Sequence, residues 1–247
     1  MSPGPRRRGR RAPLPRTGGG TDAAGPAPAR PAGLADLARQ AELDVPAEAP
    51  KRLTAYLDAM LDENRRLNLS GIRDRDEALV LHALDALQVW AVVARSPRLV
   101  VDIGTGNGFP GVAAAALWPE ARVVLVERTR KKAEAVGRCL AASGLAAEVL
   151  PLDASQVPAL HPGLRHAADL VLSRATATLE AVARLAAPLL RPEGLCVQWK
   201  AAVVDPAERR AYEACLTRLR LLPREDLVYV LPTAEPRPRR LVTALRH

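Results

Sequence analysis

Apolar residues in the first third of the chain recur at helical spacing. Leu53, Tyr56, Leu57, Met60 and Leu61 fall at i, i+3, i+4, i+7 and i+8, the single apolar face of a helix. A second helix is predicted over residues 76–93, with Leu79, Ala83, Leu87 and Trp90 as its stripe. His82 and Asp85 lie three apart at the edge of that stripe and so share one side. Between the two helices, "NLSGIRD" offers Gly and Asn as turn residues. After Pro97 the rhythm changes. The runs "RLVVDI", "ARVVLVE", "AAEVLPL", "ADLVLS", "GLCVQWK", "DLVYVL" and "RLVTAL" read as seven strands. Helices are predicted between them over residues 111–117, 130–142, 179–189 and 205–219. The strands are apolar runs rather than alternating ones, which predicts a mostly parallel sheet covered on both faces. The expected architecture is a doubly wound α/β core, residues 96–247, with a helical N-terminal cap, residues 34–95.

Composition changes this picture mainly at the N-terminus. The chain has 247 residues and a net charge of +9. Residues 1–33 carry seven Arg against one Asp, a net of +6, leaving +3 for the remaining 214 residues. Seven Pro and seven Gly, with Leu14 as the only large apolar residue, predict a disordered tail. It reads either as an arm for RNA phosphates or as a plain solvated extension. Cys139, Cys196 and Cys215 are scattered and suggest neither a disulfide framework nor a metal site. A reducing, cytoplasmic setting is expected. No apolar run approaches the ~20 residues of a membrane span.

The candidate chemistry starts at "VDIGTGNGFPG", residues 101–111. Glycines after a strand let backbone approach a ligand closely, and in such sheets ligands bind at the carboxyl ends of the strands. The spacing is GxGxG rather than the dinucleotide GxGxxG. Asp102 just before it would repel a pyrophosphate but attract an ammonium or sulfonium. Glu127, at the end of the second strand, can accept from two ribose hydroxyls. An S-adenosylmethionine site is therefore favoured over an NAD site. Arg174 and Lys200 end the fourth and fifth strands. Arg174 suits a donor carboxylate, or else a surface pair with Glu180. Lys200 suits RNA phosphate, or else solvent. Arg128, Arg130, Lys131 and Lys132 form a basic cluster that either guides RNA or merely starts a helix. A small-molecule methyltransferase, an NAD-dependent reductase and a non-catalytic ribosome-assembly protein remain as alternatives.

The motifs "NLSGIRD", "HALDAL", "DIGTGNGFPG", "SRATATL" and "WK", in this order, resemble the RsmG family, also called glucose-inhibited division protein B. The resemblance covers about residues 34–247. It implies a seven-stranded, Rossmann-like class I methyltransferase sheet. It also implies methylation of guanine N7 at one site, guanosine-527, of 16S rRNA in the small (30S) ribosomal subunit, by a monomer using S-adenosylmethionine. It assigns Gly104, Phe109, Ala154 and Ser155 to the donor, beside the Glu127 already read from the strand end, gives Arg174 to the donor carboxylate or the guanine O6/N7 edge, and gives Arg174, Lys200 and His82 to catalysis, with no metal. Two departures stand out. Asp153-Ala154-Ser155 occupies the place of the usual Arg-Ala-Glu, and Lys200-Ala201 that of Lys-Gly.

Overall fold

A computed structural model describes residues 33–247; residues 1–32 of the expected tail lie outside the described residues. The helical cap comprises α1 (Leu34–Gln40), α2 (Glu48–Asn64), α3 (Arg75–Ala78) and α4 (Asp85–Leu87). The stripe on α2 is buried as its spacing predicts: Leu53, Tyr56, Leu57 and Met60 are fully enclosed. The second predicted helix is irregular. A π-helical turn, Leu79–Leu84, joins α3 to α4, and a 3-10 turn, Gln88–Ala91, ends it. Such i→i+5 turns are rare in helices and cluster at functional sites.

The core alternates β1 (Leu99–Ile103), α5 (Gly111–Leu117), β2 (Arg122–Val126), α6 (Arg130–Ser143), β3 (Glu148–Leu150), α7 (Val157–Leu160), β4 (Ala168–Arg174), α8 (Leu179–Ala186), β5 (Leu190–Ala201) and α9 (Pro206–Leu216). It closes with β6 (Leu221–Pro223), β7 (Leu227–Leu231) and β8 (Arg237–Arg246). The strand order is β3-β2-β1-β4-β5-β8-β6, with β7 also paired to β8. The first five strands run parallel, and β8 pairs antiparallel with β5, β6 and β7. Among the described residues the sheet thus has eight strands rather than seven. The added β6 is the three-residue "LLP" at an edge, too short to leave a pattern in the sequence.

Alternate strand residues feed two cores. Val100, Val123, Leu170 and Val197 face the cap, α5 and α6. Val101, Val124, Val171 and Cys196 face α8 and α9. Burial on both faces is why these strands are apolar runs. The register aligns Ile103 with Val126, while β4 continues two residues beyond Leu172, the partner of Asp102, to Arg174. Arg174 therefore stands above the end of β1.

Asp102 joins the strand end to the helix that follows. Its Oδ2 accepts from Thr105 Oγ1 at 2.6 Å and from Gly111 N at 2.9 Å. The carboxyl is fully buried, and its Oδ1 has no hydrogen-bond partner among the described residues. This corrects the expectation that Asp102 attracts a cationic ligand: its side chain turns inward and fastens the glycine loop to α5. Burial pushes its pKa up from 3.8 to about 7, against the Thr105 and Gly111 hydrogen bonds. Between those values the folded chain holds a proton that the unfolded chain has released. The stability this group contributes is thus present below pH 3.8 and lost as pH rises through about 7. Asp102→Asn keeps an acceptor for Thr105 and Gly111 but cannot ionise. Urea unfolding across this range should show wild-type stability falling relative to the variant as pH rises; parallel profiles would refute the raised value.

Candidate active site

Between β1 and β4 the strand order reverses, and the chain leaves the two strands in opposite directions, which opens a crevice at their carboxyl ends. A cavity of about 720 Å³ occupies this place. Gly104, Phe109, Glu127, Ala154, Arg174 and His82 all line it; Ser155 and Lys200 do not.

The glycine loop is shaped by what packs on it. Gly104 has φ +68°, and a Cβ there would collide with Thr176 Cγ2. Glycine at 104 lets the turn after β4 close over the loop. Gly108 has φ +98°, and a Cβ there would strike Tyr56 Oη. Tyr56 of α2 donates to Asn107 O at 3.0 Å, so the cap rests directly on the loop. Phe109, buried, meets Tyr56 edge-on and stacks with His82 at 5.8 Å between ring centroids.

Glu127 follows β2 and is 7% exposed. Its Oε2 accepts from Gly106 N at 3.0 Å and its Oε1 from Thr129 N at 2.8 Å. Each oxygen keeps a further lone pair, so a carboxylate with spare acceptor capacity is held rigidly at the cavity wall. After β3, Asp153 Oδ1 accepts from Ser155 N at 2.9 Å and Ser155 Oγ at 2.7 Å. Asp153 thereby caps the turn that follows, and the Ser155 amide is engaged. These bonds favour the Asp153 anion and hold its pKa below the usual value. The departure from the family pattern thus has a local role.

Arg174 does not meet Glu180, which pairs with Arg184 instead. Its Nη1 donates to Leu81 O and Asp85 Oδ2, both at 3.1 Å, and its Nη2 lies 3.1 Å from His82 Nδ1. Asp85, 1% exposed, also accepts from Tyr229 Oη at 2.6 Å and from Arg239 at 3.3 Å. Burial and the adjacent Arg174 cation lower the His82 pKa to about 3. His82 and Asp85 were legible as neighbours, yet they meet through Arg174 rather than directly. Tyr229, Arg239, Asn107 and Thr176 were missed. The one available signal was a carboxylate beside an apolar stripe, a position that requires partners.

Lys200 Nζ bonds Glu208 Oε1 at 2.6 Å and Ala177 O at 2.9 Å. It ties β5 to α9 and to the turn carrying Thr176. Of the basic cluster, Arg128 and Lys132 line the cavity, whereas Arg130 pairs with Glu134. Arg237 and Arg239 of β8 line it too.

Comparison with known proteins agrees with this geometry. The O-methyltransferase of Bacillus cereus, solved in complex with SAH, superposes with a TM-score of 0.60 at 20% identity, covering 86% of this chain and 97% of its own. A putative O-methyltransferase of Klebsiella pneumoniae gives 0.60 at 18% identity, with the same coverage. Both likenesses show the fold, a class I methyltransferase sheet. Ribosomal RNA small subunit methyltransferase G of Cereibacter sphaeroides is 35% identical over 161 residues, 64% of this chain and 75% of its own length. The Symbiobacterium thermophilum protein of the same name is 34% identical over 194 residues, 76% of each. The family model for rRNA small subunit methyltransferase G (GidB) matches residues 50–219, more than half of the chain, and the chain belongs to that family.

Proposed function

We propose that the chain methylates guanine N7 at one guanosine, position 527, of 16S rRNA in the small ribosomal subunit, with S-adenosylmethionine as donor. Family membership makes it a small-subunit rRNA methyltransferase. The observation that carries the finer reading is the character of the cavity: a basic wall, and a deep histidine already fully engaged.

The residues fit the donor. Glu127 has acceptor capacity for a ribose diol, Ala154 lines the wall after β3, and Arg174 supplies a cation for a carboxylate. When bound, S-adenosylmethionine supplies a sulfonium methyl group, which guanine N7 takes on its ring lone pair as the carbon–sulfur bond breaks. N7 loses no proton, so the chain needs no general base. A hydroxyl acceptor would need one, yet both ring nitrogens of His82 are engaged, Nδ1 by Arg174 and Nε2 by Ser70 Oγ at 2.8 Å. What remains for the chain is to hold the reactants in line and exclude water. Arg128 and Lys132 offer cations to RNA phosphates at the same cavity. Lys200 enters this reading as a positioning residue, because its ammonium braces the turn over Gly104.

The deciding experiment is mass mapping of 16S rRNA after reaction of the purified chain with small subunits from a strain lacking the enzyme. One N7-methylguanosine at position 527 is expected; methylation at another atom or nucleotide would overturn the reading. Gly104→Val should abolish donor binding in calorimetric titration, because the side chain would displace Thr176 and strain the loop. Lys200→Ala should weaken donor binding several-fold through a loosened turn. Unchanged donor affinity with weaker rRNA methylation would instead assign Lys200 to RNA phosphate.

A further inference from the structure

His82 carries an inference about protonation that the hydrogen-bond geometry decides. Arginine has five N–H donors and no acceptor. The 3.1 Å contact from Arg174 Nη2 therefore requires an unprotonated Nδ1 on His82. A neutral imidazole keeps one proton, which then sits on Nε2, 2.8 Å from Ser70 Oγ. Ser70 Oγ already accepts from Ile72 N at 3.1 Å and has a second lone pair for this proton. Asn64 fixes Ser70 in turn, its Oδ1 accepting from Ser70 N at 2.9 Å and its Nδ2 donating to Ser70 O at 2.9 Å. Asn107 Nδ2 lies 3.3 Å from Nε2. Because Asn107 Oδ1 accepts from Phe109 N at 3.2 Å, Nδ2 is itself a donor, and this approach is a contact rather than a hydrogen bond.

Three of the five Arg174 donors are thus committed. Both Nη1 hydrogens go to Leu81 O and Asp85, and one Nη2 hydrogen goes to His82. Among the described residues nothing takes Nε–H or the second Nη2–H, on adjacent nitrogens, in a side chain that lines the cavity. Two parallel donors match two acceptor atoms in one plane. Guanine undergoing N7 transfer offers only O6, because a hydrogen bond to N7 would occupy the reacting lone pair. A carboxylate offers two oxygens.

We propose that His82 is a permanently neutral hydrogen-bond acceptor which, with Asp85, orients Arg174 so that its two remaining donors grip the carboxylate of the methyl donor. His82 is then a positioning residue rather than an acid or base, and Arg174 reads the donor rather than the guanine. This rests on the donor proposed above. The charged and titratable groups around His82 are Arg174 from β4, Asp85 from the cap, Arg239 and Tyr229 from β8 and β7, Asp102 from β1 within electrostatic reach of Arg174, and Tyr56 across Phe109. An imidazolium at His82 would set an N–H against the Arg174 guanidinium.

Two measurements test the proposal. Nitrogen-15 NMR of the full, unliganded chain, which has four histidines, should show His82 as the neutral Nε2–H tautomer down to pH 5, identified by the signals lost in His82→Asn. Arg174→Met should raise the pH at which His82 takes up a proton without returning it to the ordinary range, because burial, the larger cause, remains. A wild-type His82 that protonates near pH 6.5, or that carries its proton on Nδ1, overturns the proposal whatever the activity. Calorimetry would then compare S-adenosylmethionine with its decarboxylated analogue. Wild type should prefer the carboxylate form by roughly ten- to a hundredfold, the range for hydrogen bonds to charged groups. Arg174→Ala should erase the preference, His82→Ala should reduce it, and His82→Asn, whose Oδ1 supplies an acceptor near the place of Nδ1, should recover part of it. A preference that survives Arg174→Ala overturns the carboxylate assignment. Binding of neither compound by wild type would instead refute the donor itself, leaving the tautomer result standing.

Discussion

Burial of the Asp85 carboxylate is the constraint on which the site depends. An isolated carboxylate inside a protein costs several kcal/mol, and the cost is offset only by close, well-shaped partners. Asp85 has Arg174, Arg239 and Tyr229, from β4, β8 and β7. Its backbone carbonyl accepts from Trp199 Nε1 of β5 at 2.9 Å. Four strands therefore converge on one residue of the cap. Separating the cap from the sheet would strip all of these partners at once and leave the charge buried without compensation, so the cap and the sheet hold one relative arrangement. That arrangement places Arg174 at the crevice rather than in solvent.

The second anchor lies on the other side of Phe109. Tyr56 occupies the space that a side chain at Gly108 would need and bonds Asn107. The loop is thus clamped from the cap by Tyr56, from the turn after β4 by Thr176, and from below by Asp102. A loop of glycines has much conformational freedom to lose on folding. These contacts fix it before any ligand arrives, so that ordering cost does not fall on binding.

What the sequence made legible follows its physical range. The α2 stripe, the parallel strands and the glycine loop are local patterns, and each appears where its spacing placed it. Distant pairings left no such mark. Nothing near Arg174 in sequence points to Asp85, 89 positions away, and the adjacent Glu180 was a plausible decoy. The π turn is hidden because its apolar spacing passes for an ordinary helix, and its winding is set by tertiary contacts. Asp102 misled for the opposite reason: an acid before a glycine loop resembles a ligand contact until its burial is known. Lys200 ends a strand as a catalytic lysine would, but Glu208, eight residues on, claims it.

For the proposed transfer, charge bookkeeping explains why orientation matters more than new electrostatic stabilisation. The positive charge on sulfur before reaction becomes a positive charge on the guanine ring afterwards, so the site's total charge does not change. Strong fixed charges aimed at the reacting atoms would favour one end state over the other. The residues behind the crevice keep their charges committed instead: Asp85 neutralised by two guanidiniums, Glu127 bonded to backbone amides, His82 uncharged. Orientation within such a setting can supply much of a rate enhancement, through entropy already lost on binding. A guanidinium held at three of its donors can set the donor's position far better than a free arginine. The polar lock behind Arg174 is in this sense the chain's main contribution to the chemistry.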